Sequence, residues 1–204
     1  MRETLSERKV KVSHFATIIA TLIFSFVDAG VISAQGPASA GAQARSQAIA
    51  ASFSKFKNVS KEKNGVTKTK YLKVESQPAV KSNPEDYSGT YAVPDLGFAL
   101  RLQVDHSGKV EGTGYEPIAD PAVRRMFALR DGRIEGALIT ATKVYANGRS
   151  ERLEGVFIDR TTFESPTDKG STRFGLGVIG KPVEVSGLTL DKLFFELVEN
   201  RPSP

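Results

Sequence analysis

Three glutamates stand at one repeated spacing, each two residues after a basic side chain and one before a glycine. They occur in Lys109-Val110-Glu111-Gly112, Arg133-Ile134-Glu135-Gly136 and Arg152-Leu153-Glu154-Gly155. Gathered carboxylates could do general acid–base work or hold a cation. Acid–base work needs burial, so that the pKa values of the groups are pushed apart. In an extended strand, however, each glutamate shares a face with the base two positions earlier. Ion pairs on a solvated sheet surface account for that pattern, so these charges are expected outside any reaction centre.

Two further patterns carry apparent chemistry. Gly175-Leu176-Gly177-Val178-Ile179-Gly180 has the dinucleotide spacing, which needs a helix opening at its last glycine to meet a pyrophosphate. Lys181-Pro182 follows instead, and the glycines alternate with Phe174, Leu176 and Val178 as in a strand. Asp105-His106-Ser107 names three triad residue types, but neighbours in a turn cannot line up as nucleophile, base and orienter. Cysteine is absent, which excludes disulfides and thiolate metal sites. Of the two histidines, His14 falls in the N-terminal segment and leaves His106 alone in the body. No Asp-x-Asp-x-Asp-Gly loop suggests calcium. No catalytic residue, metal or cofactor is assigned.

The tetrads point to the elements that carry them. Their charges face one way, and the aliphatic residues and glycines face the other. From Asp86 onward the pattern is one of short strands separated by turn chemistry. Phe98, Leu100, Leu102 and Val104 alternate with Arg101 and Gln103 in the clearest half-buried strand. Pro94-Asp95-Leu96-Gly97, His106-Ser107-Gly108 and Asn147-Gly148 read as turns, and Asp131-Gly132 reads as a hairpin turn into a long strand running from Ile134 to Val144. The expectation is all-β: an antiparallel up-and-down meander of about eight strands. Such a sheet must curl to cover its apolar face and remove its edges, giving a closed or nearly closed barrel.

The charge is uneven along the chain. The net +5 divides into 4 basic and 3 acidic residues over 1–34, 9 and 2 over 35–84, and 15 and 18 over 85–204, or +1, +7 and −3. Residues 1–34 have the form of an export signal, with a basic start, an apolar core from Phe15 to Val27 and a small-residue exit at Ser33-Ala34. The core falls short of the roughly 18 residues that a spanning helix needs. Residues 35–84 read as a flexible basic arm, with Ile49, Phe53 and Phe56 at helical spacing and Asn64-Gly65 placed as a hairpin turn. The barrel domain is expected over 85–200, with a short tail at 201–204.

From Tyr87-Ser88-Gly89-Thr90-Tyr91 to Gly108-Lys109-Val110-Glu111-Gly112-Thr113-Gly114-Tyr115, the chain resembles the opening of calycin-type barrels, the lipocalins and avidins. There a Gly-x-aromatic strand precedes a hairpin ending in a Gly-x-Tyr strand. The resemblance implies the barrel fold. Those families carry a tryptophan after the first glycine, where this chain has Tyr91, and biotin binding is not implied.

The functional expectation is an exported, non-catalytic barrel protein, located in the bacterial periplasm or outside the cell. It would bind a small apolar or amphipathic ligand or an envelope component. Tyr87, Tyr91, Tyr115 and Phe127 are the candidate cavity-lining residues, with plain core as their alternative role. Loops such as Arg160–Arg173 would serve an inhibitor or accessory role, and the basic arm a structural role on an anionic envelope polymer. Nucleic acid is not an expected partner outside the cytoplasm, nor is stable membrane insertion after the signal is removed. Export predicts that N-terminal sequencing of protein recovered from the periplasm or medium finds a start near Gln35. Intact Met1 in a membrane fraction would contradict it.

Overall fold

The computed structural model describes residues 38–117, 124–185 and 188–200. The expected signal at 1–34, Pro121 and the tail at 201–204 lie outside them. Helix α1 (Ala40–Ser52) comes first. Its sequence is alanine-rich, which favours helix, and the Ser39 hydroxyl caps it by accepting the Ala42 N–H at 3.2 Å. Ala42, Ser46, Ile49 and Ala50 are buried along one helical stripe. Strands β1 (Lys55–Lys63) and β2 (Val66–Pro78) form a hairpin through Asn64-Gly65. Both turn residues have positive φ, 54° and 72°, as a type I′ turn requires.

Eight more strands follow: β3 (Gly89–Val93), β4 (Phe98–Val104), β5 (Lys109–Pro117), β6 (Arg124–Glu135), β7 (Leu138–Tyr145), β8 (Ser150–Phe163), β9 (Ser171–Val185) and β10 (Leu188–Asn200). Every pairing is antiparallel. Strands β3 to β8 run as a meander, β10 pairs with both β3 and β9, and β9 pairs back onto β8. The result is an eight-stranded closed barrel, as expected from the strand pattern. No helix among the described residues is long and apolar enough to cross a membrane.

One hairpin lies elsewhere than expected. Asp131-Gly132 sits inside β6 as a bulge, where the register shifts against both β5 and β7. Asp131 adopts positive φ (51°) there, so the dipeptide bends a strand instead of ending one. The hairpin turn comes at Gly136-Ala137, with Gly136 at φ 62°. The long strand expected from Ile134 to Val144 is therefore split between β6 and β7.

Within the segment read as a flexible arm, α1, β1 and β2 are formed, and α1 and β2 attach to barrel strands. β2 pairs Lys73–Pro78 with Ile158–Phe163 of β8, beyond the reach of β7. α1 lies against β2, β7, β8 and β9. Two tetrad glutamates hold it there. Glu135 accepts the Ser39 N–H at 2.7 Å, and Glu154 accepts from Arg45 Nε at 2.8 Å. The third, Glu111, pairs with Lys109 at 2.9 Å on the exposed surface, the arrangement expected of all three. Phe56 departs from the helical spacing: it lies in β1, exposed, edge-on to Tyr71.

The tetrad aliphatics Val110, Ile134 and Leu153 are buried, with Gly155 on the same inward face as Leu153. A Cβ on Gly155 would lie 2.8 Å from Gly177 O and 3.1 Å from Leu176 Cδ1. Gly155→Val should therefore destabilise by about 1–3 kcal/mol through overpacking. Ile49→Ala, which unfills the contact of α1, should cost about 2–4 kcal/mol. Urea denaturation of both variants checks these values, and an Ile49→Ala midpoint equal to wild type would mean that α1 is not held by its apolar face.

Candidate functional site

The two halves of the barrel interior differ. At the end marked by the start of β3 and the start of β9, aromatic rings fill the space. Tyr87 stacks on Phe157 with centroids 4.1 Å apart, and Phe157 stacks on Phe174 at 6.0 Å. Tyr91 leans on both phenylalanines and donates its hydroxyl to Tyr87 O at 2.7 Å. The Tyr87 phenol reaches Ala79 O at 2.9 Å and Gly136 O at 3.0 Å, and accepts the Lys81 N–H at 2.7 Å. Burial pushes its pKa up to about 12. Leu102, Val110, Ile134 and Ile139 complete a dry floor.

The opposite half opens into a pocket of about 1190 Å³ whose lining runs from the barrel interior out to α1 and the far ends of β9 and β10. Its apolar wall includes Phe98, Leu100, Phe127, Leu153, Leu193 and Phe195. The side wall is interrupted. The β8–β9 ladder stops at Glu154–Ile179, while β9 continues to Val185 against β10 alone. Pro182, in that continuation, has no N–H to offer a ladder. The cavity thus reaches through a slit between the start of β8 and the end of β9, towards Arg45 and Ala48 of α1.

At the mouth of this half stands a ring of inward-facing charges. Glu116 is only 4% exposed and is the centre of the ring. It accepts from Arg125 Nε at 3.0 Å, Lys143 Nζ at 3.1 Å and the Tyr145 hydroxyl at 2.9 Å. Glu151 lies 2.9 Å from the same hydroxyl and pairs with Arg149. Lys143 Nζ reaches Glu151 at 3.8 Å. A phenol carries one proton, so Tyr145 donates to one glutamate at a time. Three cations against two carboxylates sum to +1 within the ring, which favours a further anion over a further cation.

The ring is chemically biased. Burial raises the Tyr145 pKa well above the ordinary tyrosine value, and the hydrogen bond to Glu116 adds to the shift. The phenol is therefore a donor at neutral pH and not a base. Burial works to raise the Glu151 pKa, but hydrogen bonds from Tyr145 and Arg149 outweigh it and hold the carboxyl low. Among the described residues no group of three or more His, Cys, Asp or Glu side chains is placed to hold a metal ion.

The four aromatic candidates part company here. Phe127 and Tyr115 line the cavity. Phe127 lies over Gly114 with Tyr145 edge-on at 5.9 Å, and Tyr115 carries the Arg124 guanidinium 4.7 Å above its ring. Tyr87 and Tyr91 are fully buried in the filled half. Sequence reasoning missed Glu116, Arg125, Lys143, Tyr145 and Glu151. They stand outside the tetrads, Glu151 directly before one and the others further away, and only the ladder brings Glu116 opposite Arg125 and Lys143 opposite Glu151. The one available signal was charge at positions continuing an inward alternation, as with Glu116 after Gly112 and Gly114.

No family model matches the chain, and neither a curated protein nor a solved structure does.

Removing Glu116 leaves Lys143 and Arg125 without their shared carboxylate at the rim of a largely apolar interior. Glu116→Ala should cost on the order of 3 kcal/mol, the range for breaking a buried pair. Acid should separately loosen α1. The Arg45 hydrogen bond holds Glu154 below the ordinary glutamate pKa, and Ser39 does the same to Glu135. Depressed carboxylates contribute stability above the unfolded pKa, about 4.3, and lose it as pH falls through the folded value. Amide hydrogen exchange in α1 should rise below that pH before exchange in β5 does. Simultaneous rise in both elements would show that these carboxylates do not anchor the helix separately.

Proposed function

We propose that the protein is an exported, non-catalytic carrier of a small amphipathic molecule. The apolar body would lie in the open half of the barrel and an anionic head at the Arg125–Lys143–Arg149 side of the mouth. The observation that carries this reading is the asymmetric interior: one half filled by stacked rings, the other opening into a pocket of about 1190 Å³ with an apolar inner wall and a ring of net charge +1. Pockets that take drug-sized ligands span about 300–1,000 Å³, so the space suits an elongated or branched apolar body. Filling it removes apolar surface from water, worth about 25 cal/mol per Å² before the cost of ordering the ligand. The ring supplies direction more than affinity, since its cations are already partly satisfied by Glu116 and Glu151. Export rests on the signal-like form of residues 1–34 and places the carrier in the periplasm or outside the cell. The barrel also keeps the calycin-type resemblance at the level of architecture.

Anilinonaphthalene sulfonate, an apolar body with an anionic group, is the first probe. Its fluorescence should rise saturably, and dodecanoate should displace it at least about tenfold more effectively than dodecanol does. Leu100→Trp, which adds bulk to the apolar wall, should abolish both effects while the circular dichroism spectrum is kept. Equal displacement by the acid and the alcohol would remove the head-group role. Binding that survives Leu100→Trp would remove the cavity from the function altogether.

A further inference from the structure

The β1–β2 ribbon has two unlike faces. Residues directly opposite across an antiparallel ladder share a face, so the register sorts every side chain. One face carries Lys55, Lys57, Lys61, Lys63, Lys68 and Lys70 and no carboxylate. On the other face Glu62 and Glu75 accompany a single lysine, Lys73, which is bonded to Glu75 at 2.6 Å. None of the six lysines has an ion-pair partner among the described residues. Lys61 and Lys68 stand directly opposite one another. Like charges so placed destabilise a ribbon in water.

Lysine on a free strand discourages edge-to-edge aggregation, which could account for the composition. It does not account for the sorting, because edge protection works as well with charges on both faces. The ribbon also stands clear of the barrel. β2 pairs with β8 only from Lys73 onward, so among the described residues the stretch from Lys57 to Leu72 pairs only with itself. Seven residues per strand give an overhang of about 24 Å. Apolar side chains are set among the lysines on the same face: Val59, Leu72 and, beside the turn, Val66, which is 57% exposed.

We infer that this face docks on an anionic lipid bilayer surface, with the lysines over the headgroups and Val66 at the headgroup–acyl boundary. Long lysine stems lie along apolar surface while their ammonium groups stay in the polar layer, so charged and apolar groups on one face are compatible there. A soluble polyanion would neutralise the lysines equally well but would offer Val66 nothing to enter. The exposed valine at the tip is what favours lipid. Each lysine near an anionic leaflet strengthens binding by roughly fivefold, and salt screens the effect. Nothing in this inference depends on the barrel cavity.

Vesicles of phosphatidylcholine alone and of phosphatidylcholine mixed with phosphatidylglycerol test it by co-sedimentation. The full chain is used for wild type and variants, so any contribution from outside the ribbon is common to all. Lys61→Glu/Lys63→Glu/Lys68→Glu/Lys70→Glu should lower partitioning onto the mixed vesicles by at least about tenfold and leave the neutral ones unchanged. Val66→Ser should weaken binding to the mixed vesicles without altering association with dextran sulfate. Should the quadruple variant misfold by circular dichroism, the wild type decides: its partitioning onto mixed vesicles must fall as salt rises. Equal partitioning of wild type and a folded quadruple variant overturns the inference. So does a salt-insensitive wild type, or lysine-dependent binding to dextran sulfate with no effect of Val66→Ser on vesicles, which would make the partner a soluble polymer.

Discussion

Strand β8 is the constraint on which the other parts depend, because it serves three neighbours. Its first half pairs with β7, its second half with β2, and β9 runs along its other side from Glu154 to Thr162. The β9 ladder turns a meander with two open edges into a barrel and removes the exposed backbone groups that would recruit another chain. Where that ladder stops, the wall opens. Where β7 ends, β2 takes over its hydrogen-bonding side and carries the ribbon away from the barrel. Closure, slit and ribbon thus follow from how far each partner's ladder runs along this one strand.

The interior follows a division that physical chemistry makes hard to avoid. Aromatic stacks fill one half because flat rings close a narrow barrel without leaving voids. Their hydroxyls are consumed locally by Ala79, Gly136 and Tyr87 carbonyls, so little polar capacity is left over. Inward-facing charges sit at the opposite mouth, where solvent is close enough to moderate their desolvation. Glu116 is buried there only because Arg125, Lys143 and Tyr145 all satisfy it. A carboxylate at that depth with one partner would be costly.

Helix α1 shows how a segment of little apolar content becomes ordered. Alone it is short and would be marginal in water. Docked, it buries Ile49 and Ala50 on the side of the barrel wall where Val156 and Ile158 are also buried. Two anchors at its N-terminal half, Ser39 to Glu135 and Arg45 to Glu154, set its rotation. The same glutamates that read as generic surface ion pairs are the contacts that orient it.

Strand number, the antiparallel meander and the outward direction of the tetrad charges were legible in the sequence, because they depend on local period and turn chemistry. Alternation of Phe98, Leu100, Leu102 and Val104 with polar neighbours needs no partner to be read. The Asn64-Gly65 turn was equally plain. Asp131-Gly132 was not: the dipeptide suits a turn or a bulge, and only pairing on both sides of β6 decides between them. The mouth ring was invisible for a related reason. Glu116, Lys143 and Glu151 lie on three strands, and their meeting depends on register and on the curvature that brings an inward face together. The sequence by itself determined an antiparallel β-meander that must close or nearly close, and a lysine-rich stretch around the Asn64-Gly65 turn, whereas the one-sidedness of those lysines needed the ladder register. Tertiary structure alone decided that the barrel is filled at one end and open at the other, since that depends on where long-range ladders stop.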